Sequence, residues 1–399
     1  MRPISTELFD SLTGLRKRCE RALGGLRSRV DIAGESLFLY HAGIGEDKVR
    51  FGLFGRDLLT TALMIAEPMF MAAAIRFSCA TIGQECDPKT GEEPGRGIHE
   101  FDDVEQRGLS TRYNAAEVSL LLLITAAVYW QKTKDATIIK AEKRALTAAI
   151  YYLLAHLQEG LFFEDPGRYG ATHYALRATY WKDAGLPGRM DPEYPVVYTL
   201  VQAQAVAALR AAALLSGPLG IQEDMEKITE KAIDRLLTDL WDEATNYPLI
   251  GMDRTGKISG ISSDGLHMLA YLRRGDIPKG RLAGITAGAS RLGTRYGYRT
   301  YAPDQPEYSP SNYHLGSIWP YEQFFIAKGA LIHYQPVILK GSLGMVRALE
   351  RLDFPELVCW DGKKLAGGGC DLQLWSVAYP LGIYALLLET DKGANVRLF

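Results

Sequence analysis

Four short segments of the sequence gather carboxylates, aromatic rings and polar forks in patterns suited to chemistry on a sugar. The first is Phe54-Gly55-Arg56-Asp57, directly ahead of an apolar stretch. Adjacent Arg and Asp at a helix N-terminus offer a forked donor and a carboxylate acceptor to one spot, which suits vicinal hydroxyls. Taken alone, such an Asp more often complements the helix dipole. The second is Tyr180-Trp181-Lys182-Asp183-Ala184-Gly185. A carboxyl beside an indole is partly desolvated, and desolvation favours the protonated form that a general acid requires. An isolated loop Asp is commonly just a turn former.

The third segment runs from Phe354-Pro355-Glu356-Leu357 through Trp360 to Gly367-Gly368-Gly369-Cys370-Asp371-Leu372-Gln373-Leu374-Trp375-Ser376. It sets a carboxylate in a Gly-rich loop between aromatic faces able to stack on a pyranose ring. The fourth, Tyr313-His314-Leu315-Gly316-Ser317-Ile318-Trp319-Pro320-Tyr321-Glu322-Gln323, packs more aromatic and polar side chains into one helix start than the start needs.

Something must hold these segments together, and the rest of the sequence supplies helices. Helix-length, Ala/Leu-rich apolar stretches recur at Glu7 to Leu23, Arg56 to Phe77, Tyr113 to Thr133, Lys140 to Leu157, Val196 to Leu215 and Gln222 to Trp241. They continue at Ser262 to Leu272, Arg281 to Leu292, Ile318 to His333, Ser342 to Leu352 and Leu372 to Leu388. Few are β-branched runs, so the chain reads as nearly all helix. Ser5-Thr6-Glu7 and Asp371 supply oxygen acceptors ahead of the first and last stretches. A twelfth helix is sought in His173 to Trp181, because 399 residues divide into twelve helix-plus-loop units of about 33 residues, the period of stacked helix pairs. The long Gly/Pro/Tyr-rich loops Thr81 to Ser110, Gly160 to Tyr194, Gly293 to Trp319 and Phe354 to Cys370 are where chemistry sits on a rigid scaffold.

Composition removes several function classes. The 47% hydrophobic and 23% charged residues are those of a globular protein. A formal charge of −2, with no basic block, gives no attraction to nucleic acid or an anionic membrane. The apolar run Ser119 to Trp130 is too short to span a bilayer, and Met1-Arg-Pro-Ile-Ser lacks the pattern of a secretory signal, so a cytoplasmic location is the default expectation. Five widely spaced cysteines point away from a disulfide framework, and seven scattered histidines lack metal-ligand spacing, so no metal or cofactor is expected. Gly251-Met-Asp-Arg-Thr-Gly256-Lys257 has P-loop spacing, but Ile258 replaces the hydroxyl that would hold magnesium, and the segment reads as a turn.

The four segments together resemble the glucosidase domain of glycogen-debranching enzymes, within the wider six-hairpin clan of glucoamylases and trehalases. Glu93-Pro94-Gly95-Arg96-Gly97-Ile98-His99-Glu100, Tyr113-Asn114 and Gln373-Leu374-Trp375-Ser376 fall in the same order as that family's segments, so the resemblance runs from about Gly52 to Leu388. The sequence departs from the family at Lys182, where an apolar residue is common, at Glu117, where Asp is usual, and at Tyr321-Glu322-Gln323, where His-Asp-Asn is usual.

The resemblance implies an all-α (α/α)6 barrel, a six-hairpin toroid forming one domain over residues 1–399 without the β-rich N-terminal domain of many relatives. It implies an inverting, exo-acting glycoside hydrolase that releases a terminal hexose from an α-linked glycoside, with Asp183 as general acid and Glu356 as general base. Glu322 is a rival base, and Asp191, Glu193 and Glu307 are neighbouring acids. The candidate substrate-binding set is Phe54, Arg56, Asp57, Tyr113, Asn114, Glu117, Trp181, Lys182, Gln202, His314, Trp319, Glu322, Trp360 and Trp375. The partner is then a carbohydrate, either a glucan branch or a small α-glycosylated solute or disaccharide. A carbohydrate-binding toroid without catalysis, and a lyase or phosphorylase on the same scaffold, are the competing classes. Inversion requires the two carboxyls to stand roughly 6.5–9.5 Å apart, with room for a water between base and sugar.

Overall fold

The structure, a computed structural model, describes residues 6–391 and Val396. Among the described residues the α-helices are α1 Thr6–Leu26, α2 Gly55–Ile65, α3 Pro68–Ala80, α4 Val118–Thr133, α5 Thr137–Ala141, α6 Lys143–His156 and α7 Thr199–Leu219. The second half adds α8 Met225–Thr238, α9 Asp264–His267, α10 Lys279–Leu292, α11 Pro320–Ile332, α12 Pro336–Ser342, α13 Met345–Leu349 and α14 Leu374–Asp391.

Two sets of helices differ in how their apolar residues are arranged. In α4 every residue from Val118 to Ala127 is buried, and α7, α11 and α14 are buried nearly all round. A helix apolar on every side belongs in an interior. The α7 helix has the length and hydropathy of a membrane span but is mostly buried inside the protein. By contrast α1 and α8 bury one stripe and leave the rest in solvent. The buried set packs in a cyclic order: α2 against α4, α4 against α7, α7 against α9 and the 3-10 turn Met268–Tyr271 that extends it, that pair against α11, α11 against α14, and α14 back on α2. Outside this ring α1 lies on α14, α3 on α2 and α4, α6 on α4 and α7, α8 on α7 and α12 on α11.

The structure revises several expectations. The stretch Arg56 to Phe77 is two helices: Ala66 takes a left-handed conformation (φ 51°), and Pro68 then opens α3, whose first amides are capped by the Glu67 carboxylate. His173 to Trp181 forms bends and no helix. Its tyrosines and Trp181 are buried by tertiary contacts instead. Asp371 is exposed and does not cap α14, because the Leu374 amide is taken by Ala42 O and the Gln373 side chain. Ser5 lies outside the described residues. Nor is the chain purely helical, since short strands punctuate the loops. The longest are β1 Arg27–Ile32 and β2 Glu35–Tyr40, joined by a two-residue turn with positive φ at Ala33 and Gly34. A strand of two residues, β3 Gly43–Ile44, pairs with Leu372–Gln373 and so joins the two ends of the ring. The Gly251 segment is a hairpin, Gly251–Asp253 with Gly256–Ile258, and not a phosphate loop.

One buried polar cluster fixes the loops. Arg96, fully buried, binds Glu164 through both terminal nitrogens (2.7 and 3.2 Å) and Glu93 at 2.9 Å, and donates to Tyr113 O. His156 on α6 meets Glu93 at 3.0 Å, and Thr179 donates to Glu164. Glu93, His156 and Glu164 are close enough together to hold a metal ion, but the Arg96 guanidinium already supplies positive charge among them. Burial opposes ionisation of Glu93, yet the His156 hydrogen bond and the His156 and Arg96 charges outweigh it and pull the carboxyl down to about 2. Arg96→Leu should therefore cost about 3–5 kcal/mol in chemical denaturation, because two buried carboxylates lose their counter-charge. The stability carried by Glu93 should be present above its ordinary value of 4.5 and be lost as pH falls toward 2.

Candidate active site

The N-terminus of α2 delivers the first pair of polar residues. Gly55 sits against the Ile98 carbonyl so closely that a Cβ there would fall 2.1 Å from it, and its amide donates to His99 O. That contact clamps the His99-Glu100 segment over the helix start. Arg56 and Asp57, in the first turn, are both buried. The Arg56 guanidinium lies between two carboxylates, Glu117 Oε1 at 2.6 Å and Asp183 Oδ2 at 3.2 Å. Burial opposes its charge, but Glu117, Asp183 and Asp57 together hold it firmly protonated. No hydrogen bond from another described side chain reaches the Asp57 carboxylate, and burial pushes its pKa well above 3.8 despite Arg56.

Asp183 is aimed by its neighbours. Asp264, at the start of α9, accepts from Trp181 Nε1 at 2.9 Å and from the Tyr180 hydroxyl at 3.3 Å, and pairs with Lys182 Nζ at 3.1 Å. Ser262 Oγ and Thr300 O take further hydrogen bonds from Lys182. The ammonium is thus drawn into the wall, and Asp183 Oδ2 faces Arg56 at the cavity. Burial raises the Asp183 pKa, Arg56 works against the rise, and the Glu356 charge adds to it.

Glu356 is held by the opposite loop. Its Oε1 accepts from the Tyr313 hydroxyl at 2.6 Å and its Oε2 from the Cys370 amide at 3.1 Å. Gly369, at φ +70°, passes so close that a Cβ would lie 2.1 Å from Oε2. This accounts for glycine at the end of the Gly367-Gly368-Gly369 run. Burial raises the Glu356 pKa, opposed by the Tyr313, Cys370 and Gln373 hydrogen bonds.

Both carboxyls line one cavity of about 380 Å3. Phe54, Arg56, Asp57 and Trp181 form part of its wall, with His314, Trp319 and Trp375. The aromatic side is itself fixed: Trp319 Nε1 donates to Tyr313 O, Trp375 Nε1 to Thr60 Oγ1 at 2.7 Å, and Tyr321 stacks on Trp375 from behind. Burial, with Lys182 and Arg56 nearby, keeps His314 neutral. A larger groove of about 1190 Å3 between α1, α10 and α12 lies on the outer helices, away from both carboxyls.

Seven of the residues expected at the site do not line this cavity. Glu117 supports Arg56 from below. Lys182 faces Asp264. Gln202 joins the Leu161–Phe162 strand to α8 through Phe162 N, Gly160 O and Ala232 O. Tyr113 donates to Thr81 O, and Asn114 ties Ser110 O to Leu176 N, so both brace loops. Trp360 packs on Tyr296 and Arg295. Glu322, the rival base, is fully buried in α11, with His267 Nδ1 3.7 Å from its Oε1. Asp191, Glu193 and Glu307 are also elsewhere: Asp191 pairs with Arg107, the Glu193 amide binds Asp253, and Glu307 accepts from Gly188 N.

Sequence reasoning passed over Glu100, Tyr313, Cys370 and Gln373, which do line the cavity. Each stood inside a quoted segment, and what was missing was the direction of its side chain. One consequence is measurable. Because the folded Asp57 has a raised pKa, its charge opposes folding increasingly as pH climbs above 3.8. Asp57→Asn should raise Tm by about 1–3 °C at pH 8 and have no such effect at pH 3, while activity falls.

Crystal structures of the GH63 mannosylglycerate hydrolase from Thermus thermophilus superpose on the chain. The complex with Tris gives a TM-score of 0.69 at 15% identity, covering 92% of this chain and 99% of that one. The complex with Tris and D-glycerate gives 0.67 at 14%, covering 93% and 100%. The complex with glucose gives 0.64 at 16%, covering 92% and 99%. At such identity the likeness speaks for the fold. No curated protein sequence matches the chain. Residues 123–344 match the mannosylglycerate hydrolase MGH1-like glycoside hydrolase domain. With more than half of its length in that match, the chain belongs to the MGH1-like glycoside hydrolase family and is a glycoside hydrolase.

Proposed function

We propose that the chain hydrolyses a small α-glycosylated solute from its non-reducing end with inversion. The observation that carries this is the presence of Asp183 and Glu356 in one cavity of about 380 Å3, near the lower end of the range for small-ligand sites. In this reading Asp57 and Arg56 hold the terminal hexose against Trp319 and Trp375. Asp183 gives its proton to the glycosidic oxygen. Glu356 takes a proton from water, whose oxygen bonds to the anomeric carbon as the bond to the leaving group breaks. Burial raises both carboxyls; at Asp183 the Glu356 charge adds to the rise that Arg56 opposes, and at Glu356 three hydrogen bonds work against it.

The cyclic order of the buried helices supports reading the fold as an (α/α)6 toroid and residues 1–399 as one domain. Five free cysteines fit action in the cytoplasm. Family membership favours a small solute over a glucan, and a relative captured with D-glycerate or glucose points the same way. Glucose release from a branched glucan, the amylo-α-1,6-glucosidase activity, rests on the motif resemblance and belongs in the same assay.

The test is hydrolysis of glucosyl- and mannosyl-glycerates, α-linked disaccharides and limit dextrin, with proton NMR of the first product. The β-anomer should appear before mutarotation, and the α-anomer would sink inversion. Asp183→Asn and Glu356→Gln should each lower kcat by about 10²-fold or more with little change in Tm. Retention of a tenth of the activity would remove that residue from its role.

A further inference from the structure

Behind the aromatic wall of the cavity, several polar groups are buried without partners. Tyr321 and Glu322, in the first turn of α11, are both buried. No hydrogen bond from another described residue reaches the Tyr321 hydroxyl or either Glu322 oxygen. The same holds for both His267 ring nitrogens, for Arg56 Nη2 and for Glu117 Oε2. These groups sit together. His267 Nδ1 is 3.7 Å from Glu322 Oε1, and the His267 ring meets Tyr321 edge-on with the ring centres 5.8 Å apart. The Tyr321 hydroxyl lies within the fields of both Glu322 and Arg56, and Arg56 binds Glu117. The elements that supply them, α2, the head of α4, α9 and α11, all belong to the inner ring of helices. Arg56 alone of these residues also lines the cavity.

Leaving a buried donor or acceptor unpaired is costly, and leaving a buried carboxylate unpaired is more so. Buried groups of this kind are ordinarily joined by ordered water, which needs several polar partners around it. The cluster supplies them. A guanidinium donates in a fixed fork, and that of Arg56 sends Nε to Glu117 and Nη1 to Asp183, which leaves Nη2 for Tyr321 and Glu322.

We infer that Tyr321 and Glu322 are positioning residues: joined through water to Arg56 Nη2, they draw the guanidinium away from Asp183 and so keep that carboxyl protonated. The catalytic consequence rests on the reading of Asp183 as general acid. Arg56 then serves three carboxylates, and the more of its charge goes to Glu117 and Glu322, the less is left to stabilise an ionised Asp183. The titratable groups around Asp183 are Arg56 and Asp57 on α2, Glu117 at α4, Glu100 in the loop between them, and Tyr313 with Glu356 opposite. Arg56 is the cation in direct contact with it, while Lys182 beside it in sequence is paired with Asp264. Glu322 is faced by His267 of α9, by Tyr321 of its own helix, and by Tyr180 and Tyr247 from the loops.

Two variants test it on the full chain. Tyr321→Phe removes one buried oxygen and keeps the ring on Trp375, and Glu322→Gln removes a charge at equal volume. The ionisation of Asp183 is read by carboxyl-carbon NMR, its signal assigned by loss in Asp183→Asn, and this reading needs no substrate. Beside it, the pH profile of kcat/KM is taken with α-mannosylglycerate as probe. In both variants Asp183 should titrate at least about 0.5 lower in pH, because Arg56 turns back toward it. The alkaline limb of kcat/KM should move down with it, so that kcat/KM at pH 8 falls at least about threefold. Should Glu322→Gln not fold, Tyr321→Phe decides alone. An Asp183 titration that is unchanged or raised in Tyr321→Phe overturns the inference, whatever happens to Tm, since a hydroxyl that merely fills space can be lost without touching the acid. A lowered Asp183 titration with an unmoved kinetic limb supports the positioning and sinks Asp183 as the general acid.

Discussion

The guanidinium of Arg56 is the contact on which the site depends. It bridges α2, the start of α4 through Glu117, and the loop that carries Asp183. Taking a guanidinium and two carboxylates out of water is unfavourable, and their mutual attraction offsets this only if the geometry is good. The structure achieves it by putting both partners on rigid supports. Glu117 sits at the head of a helix whose first ten residues are all buried, and Asp183 follows two residues pinned to Asp264. Displacing Arg56 would move an acid, unbalance a buried carboxylate and open the side of the cavity at once.

A second constraint acts on the opposite wall. Glu356 depends on a hairpin of Leu357–Trp360 with Leu365–Gly368, on Gly369, and on the left-handed backbone of Phe354 (φ 58°) just before it. A non-glycine residue in that conformation persists only when its surroundings hold it there. Here the Phe354 carbonyl accepts the Gln373 amide, and its ring packs under Arg18. The two walls are built from opposite ends of the chain and by different means: an ion pair on one side, backbone hydrogen bonds and glycine on the other.

Much of the scaffold was legible because buried helices have a composition that nothing else explains. The apolar runs of α4, α7, α11 and α14 are readable without knowing what they touch. What escaped was whatever needs a partner distant in sequence. A strand of two residues such as Gly43–Ile44 has no periodicity to detect, and the His173 to Trp181 stretch buries aromatics without regular structure. The same holds at the site. Arg56, Asp57, Asp183 and Glu356 share one cavity as the motifs suggested. Lys182 and Gln202, in contrast, carry polar groups that satisfy buried partners, and a polar residue looks alike in sequence whether it faces a ligand or a neighbouring carbonyl. Trp360 misled for the related reason that it stands at the far end of the strand from Glu356, where Tyr296 and Arg295 take its ring.

The pairing of Gly43–Ile44 with Leu372–Gln373 also bears on how the protein comes into being. The ring is closed by a contact spanning more than three hundred positions, and the segment that closes it is the same one that orders Glu356. While the chain is being synthesised, α2 and α11 lack α14 between them, and apolar surface that the finished protein hides stays open. Through that interval the growing polypeptide has Arg56, Asp57 and Asp183 in place but not the segment that orders Glu356. Core and cavity are therefore completed in a single late event, by the same stretch of chain.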